Sequence, residues 1–187
     1  ADEVAYSYDG LFRLSSRTLS RANYATQYTY LPGVNGSTST VLQSIQNGSD
    51  AAISYTYDAV GNITSISEGG VLKASYEYDL LGQLTRENNL YINKTVVYAY
   101  DNGGNILSKT EYAYTTGTLG APAKTNTYTY PTTGWKDLLT AYNGQTITYD
   151  DIGNPLQYRD NMSFTWNGRQ MAGLTRIVWL QGQSCSG

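Results

Sequence analysis

Tyrosine or aliphatic residues alternate with small polar residues over short stretches along most of the chain. The stretch "YTYDAVGNITSIS", residues 55–67, is typical: two tyrosines flank a threonine, and isoleucine then alternates with threonine or serine. A period of two predicts β-strands whose two faces differ in polarity. Since no segment keeps the period of a helix, the pattern predicts an antiparallel meander of roughly a dozen or more short strands.

The same stretch is one copy of a repeat. Six copies align on Tyr-x-Tyr, a weaker copy ends at Tyr149, and Phe164-Thr165-Trp166 continues the pattern with other aromatic residues. Asp-x-x-Gly follows four of these copies, and its aspartates keep a nearly constant spacing, from 58 to 79 and from 79 to 101. A fixed period of this length predicts a repeat architecture. The residues that define the repeat are Tyr55, Tyr57, Asp58, Gly61, Tyr76, Tyr78, Asp79, Gly82, Tyr98, Tyr100, Asp101, Gly104, Tyr149, Asp150 and Gly153.

Asp-x-x-Gly predicts the turn of each hairpin. Aspartate favours the first position of a type I turn, because its carboxylate accepts hydrogen bonds from the turn amides. Glycine at the fourth position adopts a positive φ without steric cost, and this combination is a common hairpin loop with a bulge. Asp58-Ala59-Val60-Gly61 is therefore predicted to be a turn, with the aspartate as its cap.

The opposite ends of the hairpins carry other turn signals, of which Asn-Gly is the strongest. The predicted turns are Glu68-Gly69-Gly70, Asn88-Asn89, Asn143-Gly144, Asp160-Asn161 and Asn167-Gly168. Two longer stretches, 31–40 and 115–124, are predicted to be exposed, mobile loops.

The two tyrosines of each pair are predicted to share one face of the sheet, since alternate side chains of a strand point the same way. Hairpins lying side by side would then form rows of tyrosines. Cross-strand aromatic pairs contribute roughly 0.2–1 kcal/mol each, so such rows are expected to replace part of an aliphatic core. The buried phenol oxygens would need hydrogen-bond partners.

Composition supports an all-β protein of extracellular type. The chain has 19 tyrosines, and only 14% of its residues are charged. Its 187 residues favour one domain. The 12 basic residues are scattered and the net charge is −3, so we expect no nucleic-acid partner. No apolar run reaches membrane-spanning length and the N-terminus lacks a signal-peptide pattern, so we expect no membrane insertion.

Candidate chemistry is sparse. The absence of histidine excludes Ser-His and Cys-His pairs and His-ligated zinc. Cys185 is the single cysteine and is expected to be an incidental thiol. Turn capping explains an aspartate at the same place in five units, whereas catalysis needs one or two. Asp-x-x-Gly-Asn also lacks the dense acidic residues of calcium loops. We therefore expect no catalytic residue, no metal and no cofactor.

Tyr-x-Tyr-Asp-x-x-Gly-Asn/Gln-Ile/Leu at this spacing resembles the YD repeat of Rhs proteins. The phrases "YTYDAVGNITSIS", "YEYDLLGQLTREN" and "YAYDNGGNILSK" match it, and the resemblance covers about residues 5–174. It implies an all-β antiparallel hairpin meander that forms an open or spiralling sheet, part of a β-shell. In bacterial Rhs toxins, toxin-complex components and wall-associated proteins, the shell encloses a C-terminal toxic polypeptide. Teneurins are more distantly similar and use a related shell for adhesion.

The sequence departs from that family at its end. The shell of the family normally closes with an Asp-Pro-containing motif, which does not occur here, and "TRIVWLQGQSCSG" stands where another repeat is expected. The chain also lacks an initiator methionine. We therefore expect a slice of a longer or processed protein, with a YD-repeat array at 1–176 and a divergent, flexible tail at 177–187.

Two functions remain open. The resemblance implies a non-catalytic segment of a secreted or surface bacterial protein, whose partners are the rest of the parent shell and its cargo polypeptide. The alternative is an extracellular module that binds cell-surface glycans or proteins through exposed tyrosine and tryptophan and the loops at 31–40 and 115–124, with unknown binding residues. In either case, exposed sheet edges predict edge-mediated self-association of the isolated chain.

Overall fold

The computed structural model describes residues 3–176, so the predicted tail at 177–187, with Cys185, lies outside the described residues. The described residues contain seventeen β-strands and no α-helix, with one 3-10 turn at Val34–Gly36. Strands β1 to β13 follow one another in chain order in one sheet, and β14 to β17 do so in a second. The predicted all-β antiparallel meander is confirmed. Nowhere in residues 3–176 is there a helix long and apolar enough to cross a membrane.

The strands are short, as the spacing of turn signals predicts. They are β1 (Val4–Tyr8), β2 (Leu14–Leu19), β3 (Tyr24–Pro32), β4 (Thr38–Asn47), β5 (Ile53–Tyr57), β6 (Ile63–Glu68), β7 (Val71–Tyr78), β8 (Leu84–Asn89), β9 (Lys94–Tyr100), β10 (Ile106–Ala113), β11 (Lys124–Thr129), β12 (Ala141–Tyr142), β13 (Gln145–Thr146), β14 (Thr148–Tyr149), β15 (Pro155–Tyr158), β16 (Met162–Asn167) and β17 (Gln170–Arg176).

The chain forms two compact units. Unit 1 comprises Ala1–Val97 and Glu111–Ala123, and unit 2 comprises Tyr98–Thr110 and Lys124–Gly187. Unit 1 holds all of strands β1 to β8, and unit 2 holds all of strands β11 to β17.

The tyrosine pairs lie on one face of their strands, as predicted. In β5, Tyr55 and Tyr57 are half-buried, whereas Thr56 between them is exposed. The pairs in β3, β7, β9 and around β11 show the same pattern. Tyr6 and Tyr8 of β1 differ, since they are 55% and 59% exposed. The first strand therefore has a largely open aromatic face.

In six hairpins a β-bulge occurs at the second aromatic residue of the pair. In the hairpin of β5 and β6, Tyr55 pairs with Ile66, but Tyr57 pairs with Ile63 after a register shift between Thr56 and Tyr57. The hairpins of β1–β2, β3–β4, β7–β8, β14–β15 and β16–β17 shift register at the same place. The bulge accommodates the extra residue that the turn inserts.

The second aromatic residue of a hairpin donates a hydrogen bond to the strand before it. Tyr57 Oη donates to the carbonyl of Leu42 at 2.7 Å, and Tyr78 Oη donates to the carbonyl of Ile63 at 2.8 Å. Further links of this kind join Tyr30 to Leu14 at 2.8 Å, Tyr149 to Leu139 at 2.6 Å, and Trp166 Nε1 to Pro155 at 2.7 Å. We call this series the hydroxyl ladder, although Trp166 supplies a ring N–H in its last link.

The accepting residue has a fixed place in the register. Ile63 accepts from Tyr78 and is also the strand partner of Tyr57, at the bulge of the preceding hairpin. Leu14 and Leu42 likewise pair with the preceding second tyrosines, Tyr8 and Tyr30. The ladder therefore links one bulge to the next through unit 1. Partial burial raises the pKa of Tyr57 and Tyr78, which keeps their hydroxyls protonated as donors.

The tyrosines of unit 1 share one face, but the predicted ring contacts between neighbouring tyrosine strands do not form there. Among the described residues, ring–ring contacts occur in unit 2 alone; an example is Tyr128 with Tyr142, whose ring centroids are 5.3 Å apart. In unit 1 a return strand separates successive tyrosine strands, so the strands that carry the rings are about 10 Å apart. Aliphatic residues such as Ile63 and Ile66 fill the space between them.

The turn predicted at Asn88-Asn89 is also wrong. Both residues belong to β8, and the turn is formed by residues 90–93, where Asn93 adopts a positive φ of 52°. Asn88 points inward and is 3% exposed, whereas Asn89 Oδ1 accepts a bond from the N–H of Tyr91. Asparagine is common in turns, but here its amide serves the strand interior.

The other predicted turns are confirmed. Gly69 and Gly70 both have positive φ and join β6 to β7 through the pair Glu68 and Val71. The turns at Asn143-Gly144, Asp160-Asn161 and Gly168 likewise have positive φ. This conformation matches the twist of a tight hairpin.

The two predicted long loops are shorter or more anchored than expected. Strands β3 and β4 extend into 31–40 and leave five residues, 33–37, between them. In 115–124, Arg86 donates to the carbonyls of Thr115 and Gly117 at 3.1 Å and 2.8 Å, and most of the residues that follow are exposed. Sequence composition does not reveal an anchor that comes from a strand about thirty residues earlier.

Polar residues occupy much of the buried interior. The buried hydrophobic residues of the described chain are Ala74, Val96 and Ile147. Thr95 is fully buried, and its hydroxyl accepts a bond from the N–H of Thr115 at 3.0 Å and lies 3.1 Å from Asn88 Oδ1. In residues 3–176 no buried side-chain nitrogen or oxygen lacks a hydrogen-bond partner. The fully buried interior of the described chain is therefore small and largely polar.

Replacing Tyr57 by Phe tests the hydroxyl ladder. The change removes the bond to the Leu42 carbonyl and leaves the ring in place, so we expect the free energy of unfolding to fall by about 0.5–1.5 kcal/mol. Urea denaturation followed by circular dichroism measures it. Tyr55→Phe is the matched control, since this half-buried neighbour makes no hydroxyl bond among the described residues. Equal losses in both variants would show that the hydroxyl bond contributes nothing particular.

Candidate functional site

The repeated Asp-x-x-Gly segment is the main concentration of polar side chains with a regular geometry. In the turn after β5, Asp58 Oδ1 accepts bonds from the N–H of Val60 at 3.0 Å and of Asn62 at 2.8 Å. The N–H of Gly61 donates to the Asp58 carbonyl at 3.2 Å, and the N–H of Asp58 donates to the Asn62 carbonyl at 2.9 Å. The carboxylate therefore caps the turn, as predicted.

The side chain of Asn62 completes this cap. Its Nδ2 donates to Asp58 Oδ2 at 2.9 Å, so both carboxylate oxygens accept hydrogen bonds. The same contact joins Asn105 to Asp101 at 2.9 Å and Asn154 to Asp150 at 2.7 Å. Sequence reasoning missed this role, although the signal was visible: an amide residue stands four positions after each aspartate of the intact turns.

Two turns vary this arrangement. Asp79 keeps the backbone bonds from Leu81 and Gln83, both at 2.9 Å. In the first copy of the repeat, Arg13 takes the position of the amide residue. It forms an ion pair with Asp9, with Nε 2.7 Å from Oδ2. A cap therefore forms with an amide or a guanidinium donor, because either can reach the second carboxylate oxygen.

The fourth position of the turn requires a left-handed backbone. Gly61 has a φ of 96°, and a Cβ there would meet no atom within 4 Å, so backbone conformation alone favours glycine. In the first copy of the repeat, Phe12 stands at the fourth turn position, with a φ of 60°. An aromatic residue in this conformation is strained. The motif therefore tolerates departures where the hydrogen bonds of the cap remain.

The electrostatics of the caps favour the ionised carboxylate. Desolvation raises the pKa of Asp58, but the bonds from the Asn62 side chain and from the turn amides outweigh it, so its pKa lies below the ordinary value of 3.8. The Asn105 side chain is the largest cause of the lowered pKa of Asp101. A carboxylate with a lowered pKa and occupied oxygens is a poor proton acceptor. The geometry thus suits a turn and offers little to acid–base chemistry.

The structure does not gather the predicted repeat residues into one site. Asp58 and Asp79 lie at successive hairpin ends of unit 1, about 10 Å apart by strand spacing. Asp150 caps its turn, whereas its neighbour Asp151 is exposed, as expected for one cap and one solvated charge. In the part of the chain that is described, no group of three or more acidic, cysteine or histidine residues is placed to hold a metal ion.

Acid unfolding tests the caps. Since the folded pKa values of Asp9, Asp58, Asp101 and Asp150 lie below the unfolded value of 3.8, these groups stabilise the fold above that pH. Their contribution is lost as the pH falls through 3.8 toward the folded values. Asp58→Asn should therefore destabilise the protein at neutral pH, with a deficit that shrinks in acid. Urea denaturation at a series of pH values measures this.

Asp151→Asn is the control for that experiment. It removes a neighbouring charge that caps no turn. The difference in free energy of unfolding between this variant and the parent chain should not follow the same pH dependence. A deficit of Asp58→Asn that stays constant from neutral pH to acid would contradict the assigned role of the carboxylate.

Comparison with known proteins gives a match of structure and none of sequence. No protein-family model matches the chain, and no curated protein matches its sequence. Among solved structures, TcdB2-TccC3 superposes with a TM-score of 0.68 at 18% identity, over 96% of this chain and 10% of that chain. TcdB2-TccC3 without its hypervariable C-terminal region gives a TM-score of 0.67 at 18% identity, with the same coverage.

The Photorhabdus luminescens Tc holotoxin pore also superposes, with a TM-score of 0.57 at 17% identity over 96% of this chain and 12% of that chain. The chain thus spans about a tenth of the length of the structures it matches. Those neighbours are toxin complexes of the Rhs/YD-repeat type, so the resemblance predicted from the motif is confirmed at the level of structure. The chain has the YD-repeat β-hairpin fold seen in segments of the TcdB2-TccC3 toxin complexes.

Proposed function

We propose that this chain is a non-catalytic wall segment of an Rhs-like secreted or surface protein, and that it forms part of a β-shell around a toxin or another cargo polypeptide. The observation that carries the proposal is the hydroxyl ladder within a fold that superposes on TcdB2-TccC3 over 96% of the chain. In five hairpins the ladder joins the hairpin to the segment before it, as a continuous wall requires. The extracellular location and the cargo belong to this proposal.

The polar chemistry supports a structural role. The caps repeat the same geometry along the chain, and their carboxylates are occupied by turn amides and by Asn62 or its equivalents. An enzyme needs one differentiated site with a free base or nucleophile. A wall built from repeated hairpins needs the same capped turn in each repeat. This contrast supports the non-catalytic part of the proposal.

A segment exchange tests the shell. The region of TcdB2-TccC3 that superposes on this chain is replaced by residues 3–176, and digestion of the hypervariable C-terminal region by an added protease is timed. If the chain works as a wall segment, digestion should be as slow as in unmodified TcdB2-TccC3. An exchange that also carries Tyr57→Ala and Tyr78→Ala should expose the region, because two ladder bonds and two packed rings are lost.

The folded state of each exchanged protein is checked by electron microscopy of the particles. The decisive case is a well-formed particle that carries the unsubstituted residues 3–176. If its C-terminal region is digested as fast as that of the alanine variant, the shell proposal is contradicted.

A second candidate is a glycan- or protein-binding module, and one observation favours it. Trp135 is 63% exposed, and the two residues that follow it in the chain, Lys136 and Asp137, line a cleft of about 620 Å³ in unit 2 together with Asn102. Aromatic rings beside such polar groups suit sugar rings. The repeat tyrosines are less suited, since they are half-buried and several donate to the backbone.

A glycan array with the purified chain tests the second candidate. Binding to one sugar class, competed by the free sugar and lost in Trp135→Ala while Tyr91→Ala keeps it, would support recognition at the cleft. Tyr91 is the control because it is similarly exposed and lies in unit 1. A blank array from the folded chain would reject glycan binding and leave the shell proposal untouched.

A further inference from the structure

A small polar cleft lies in unit 2 beside strands β11 to β13, with a volume of about 260 Å³. We call it the donor cleft. The residues that define it are Lys124, Asn126, Gln145 and Arg159. It shares no lining residue with the larger cleft at Asp137. Because it is smaller than the pocket of a drug-sized molecule, it suits a ligand of about one sugar residue.

The amide oxygens at the donor cleft already accept hydrogen bonds. Asn126 Oδ1 accepts from Asn143 Nδ2 at 3.1 Å, and Asn143 Oδ1 accepts from the N–H of Thr127 at 2.7 Å. Gln145 Oε1 accepts from the N–H of Asp160 at 3.1 Å. The side-chain N–H groups of Asn126 and Gln145 are therefore what these two amides offer to a ligand.

Asn126 is the most informative of these amides, because it is 6% exposed and its Nδ2 has no acceptor among the described residues. No fully buried side-chain nitrogen in residues 3–176 lacks a partner, so this Nδ2 must be open to solvent at the cleft that the residue lines. Lys124 stands two positions earlier in β11 and shares the same face of the strand. A buried residue thus holds one free donor at a fixed place beside an ammonium group.

Arg159 adds a second cation to the same cleft. Its Cζ lies 5.2 Å from the ring centroid of Tyr142 and 5.6 Å from that of Tyr158. In the part of the chain that is described, neither Arg159 nor Lys124 has a carboxylate within ion-pair distance. Attraction to the rings positions the guanidinium and leaves its planar fork of N–H groups available, and this fork matches a carboxylate.

One acceptor lies among these donors. Asp160 also lines the donor cleft, and its Oδ2 is 3.9 Å from Arg176 Nη2, at the long limit of an ion pair. Its side chain is 51% exposed, so the carboxylate can still accept a bond from a hydroxyl group. The same charge repels a phosphate, which is more negative than a carboxylate. A ligand that carries one carboxylate next to hydroxyl groups matches both the donors and the acceptor.

We propose that the donor cleft binds a carboxylated sugar of the uronic-acid class. The ligand carboxylate lies against the Arg159 fork and the Lys124 ammonium, Asn126 Nδ2 donates to a sugar oxygen, and a sugar hydroxyl donates to Asp160. The site lies in unit 2, and it depends neither on the shell proposal nor on the cleft at Asp137.

A solution titration tests this assignment. The full isotope-labelled chain is titrated with free glucuronate, and the backbone amide signals of 124–127, 143–145 and 159–160 are followed by NMR. These signals should shift in a saturable way with glucuronate and stay in place with glucose, which lacks the carboxylate. NMR also detects binding of a single sugar residue that is too weak to be retained on a glycan array.

Substitutions at Arg159 test the guanidinium fork. Arg159→Gln should raise the dissociation constant of glucuronate about tenfold or more, since it removes charged hydrogen bonds to the ligand. Arg159→Lys should recover only part of the affinity, because an ammonium group lacks the bidentate geometry. Arg169→Gln is the matched control: it removes an exposed arginine of the same unit that does not line the cleft, and it should bind like the parent chain.

Asn126→Asp tests the buried donor. Aspartate keeps an oxygen that accepts the bond from Asn143 and replaces the free Nδ2 by a charged acceptor, so glucuronate binding should be lost. Circular dichroism verifies that the variant keeps the β-fold. Trp135→Ala, which probes the other candidate glycan site, should leave the glucuronate titration unchanged.

Three results would overturn the proposal. The first is a folded parent chain whose signals glucuronate does not shift. The second is an equal loss of affinity in Arg169→Gln and Arg159→Gln, which would show attraction by net charge alone. The third is binding of glucose phosphate or of glutarate as tight as that of glucuronate. It would assign the cleft to phosphate groups, or to any carboxylate such as an acidic peptide side chain, in place of a sugar acid.

Discussion

The hydrogen bond from an aromatic side chain to the carbonyl at the preceding bulge is the contact on which this fold depends. The Asp-x-x-Gly turn inserts an extra residue, the strand bulges at the second aromatic position, and the regular ladder of backbone bonds is interrupted there. Tyr78 bridges this interruption by reaching Ile63, and Trp166 does the same at Pro155. A ring with a polar tip is needed, since it must both pack on the sheet and donate at its far end. This explains why tyrosine, and once tryptophan, holds the position.

A thin apolar interior follows from this design. A sheet that is one layer thick leaves most side chains half-buried, so Ala74, Val96 and Ile147 are the buried hydrophobic residues among those described. Polar groups fill other interior positions, and they are stable there because each has a partner; Thr95 with Thr115 is an example. Losing one member of such a cluster leaves another unsatisfied, which costs about 1–3 kcal/mol.

The same features separate the side chains that the repeat uses from those that it leaves exposed. Polar side chains within the repeat are already hydrogen-bonded. Asp58, for example, accepts bonds from the N–H of Val60 and from the side chain of Asn62. Side chains that the repeat does not use, such as Phe12, Leu80 and Trp135, project from turns and connections into solvent. Exposed apolar side chains are thus found at strand ends and connections, while the strands hold the contacts of the repeat.

The sequence alone determined the elements and the turns, because both depend on near neighbours in the chain. The alternation around Tyr55 and Tyr57 predicted a strand with one aromatic face, and Asp58 with Gly61 predicted a capped turn with a left-handed glycine. Only the tertiary structure decided which contacts join one hairpin to the next. Asn88 became a buried strand residue through contacts with Arg86 and Thr95, and the tyrosine rows became hydroxyl contacts with the backbone. These outcomes depend on which strands are adjacent and on their register, and pairing across tens of residues leaves no local periodicity in the sequence.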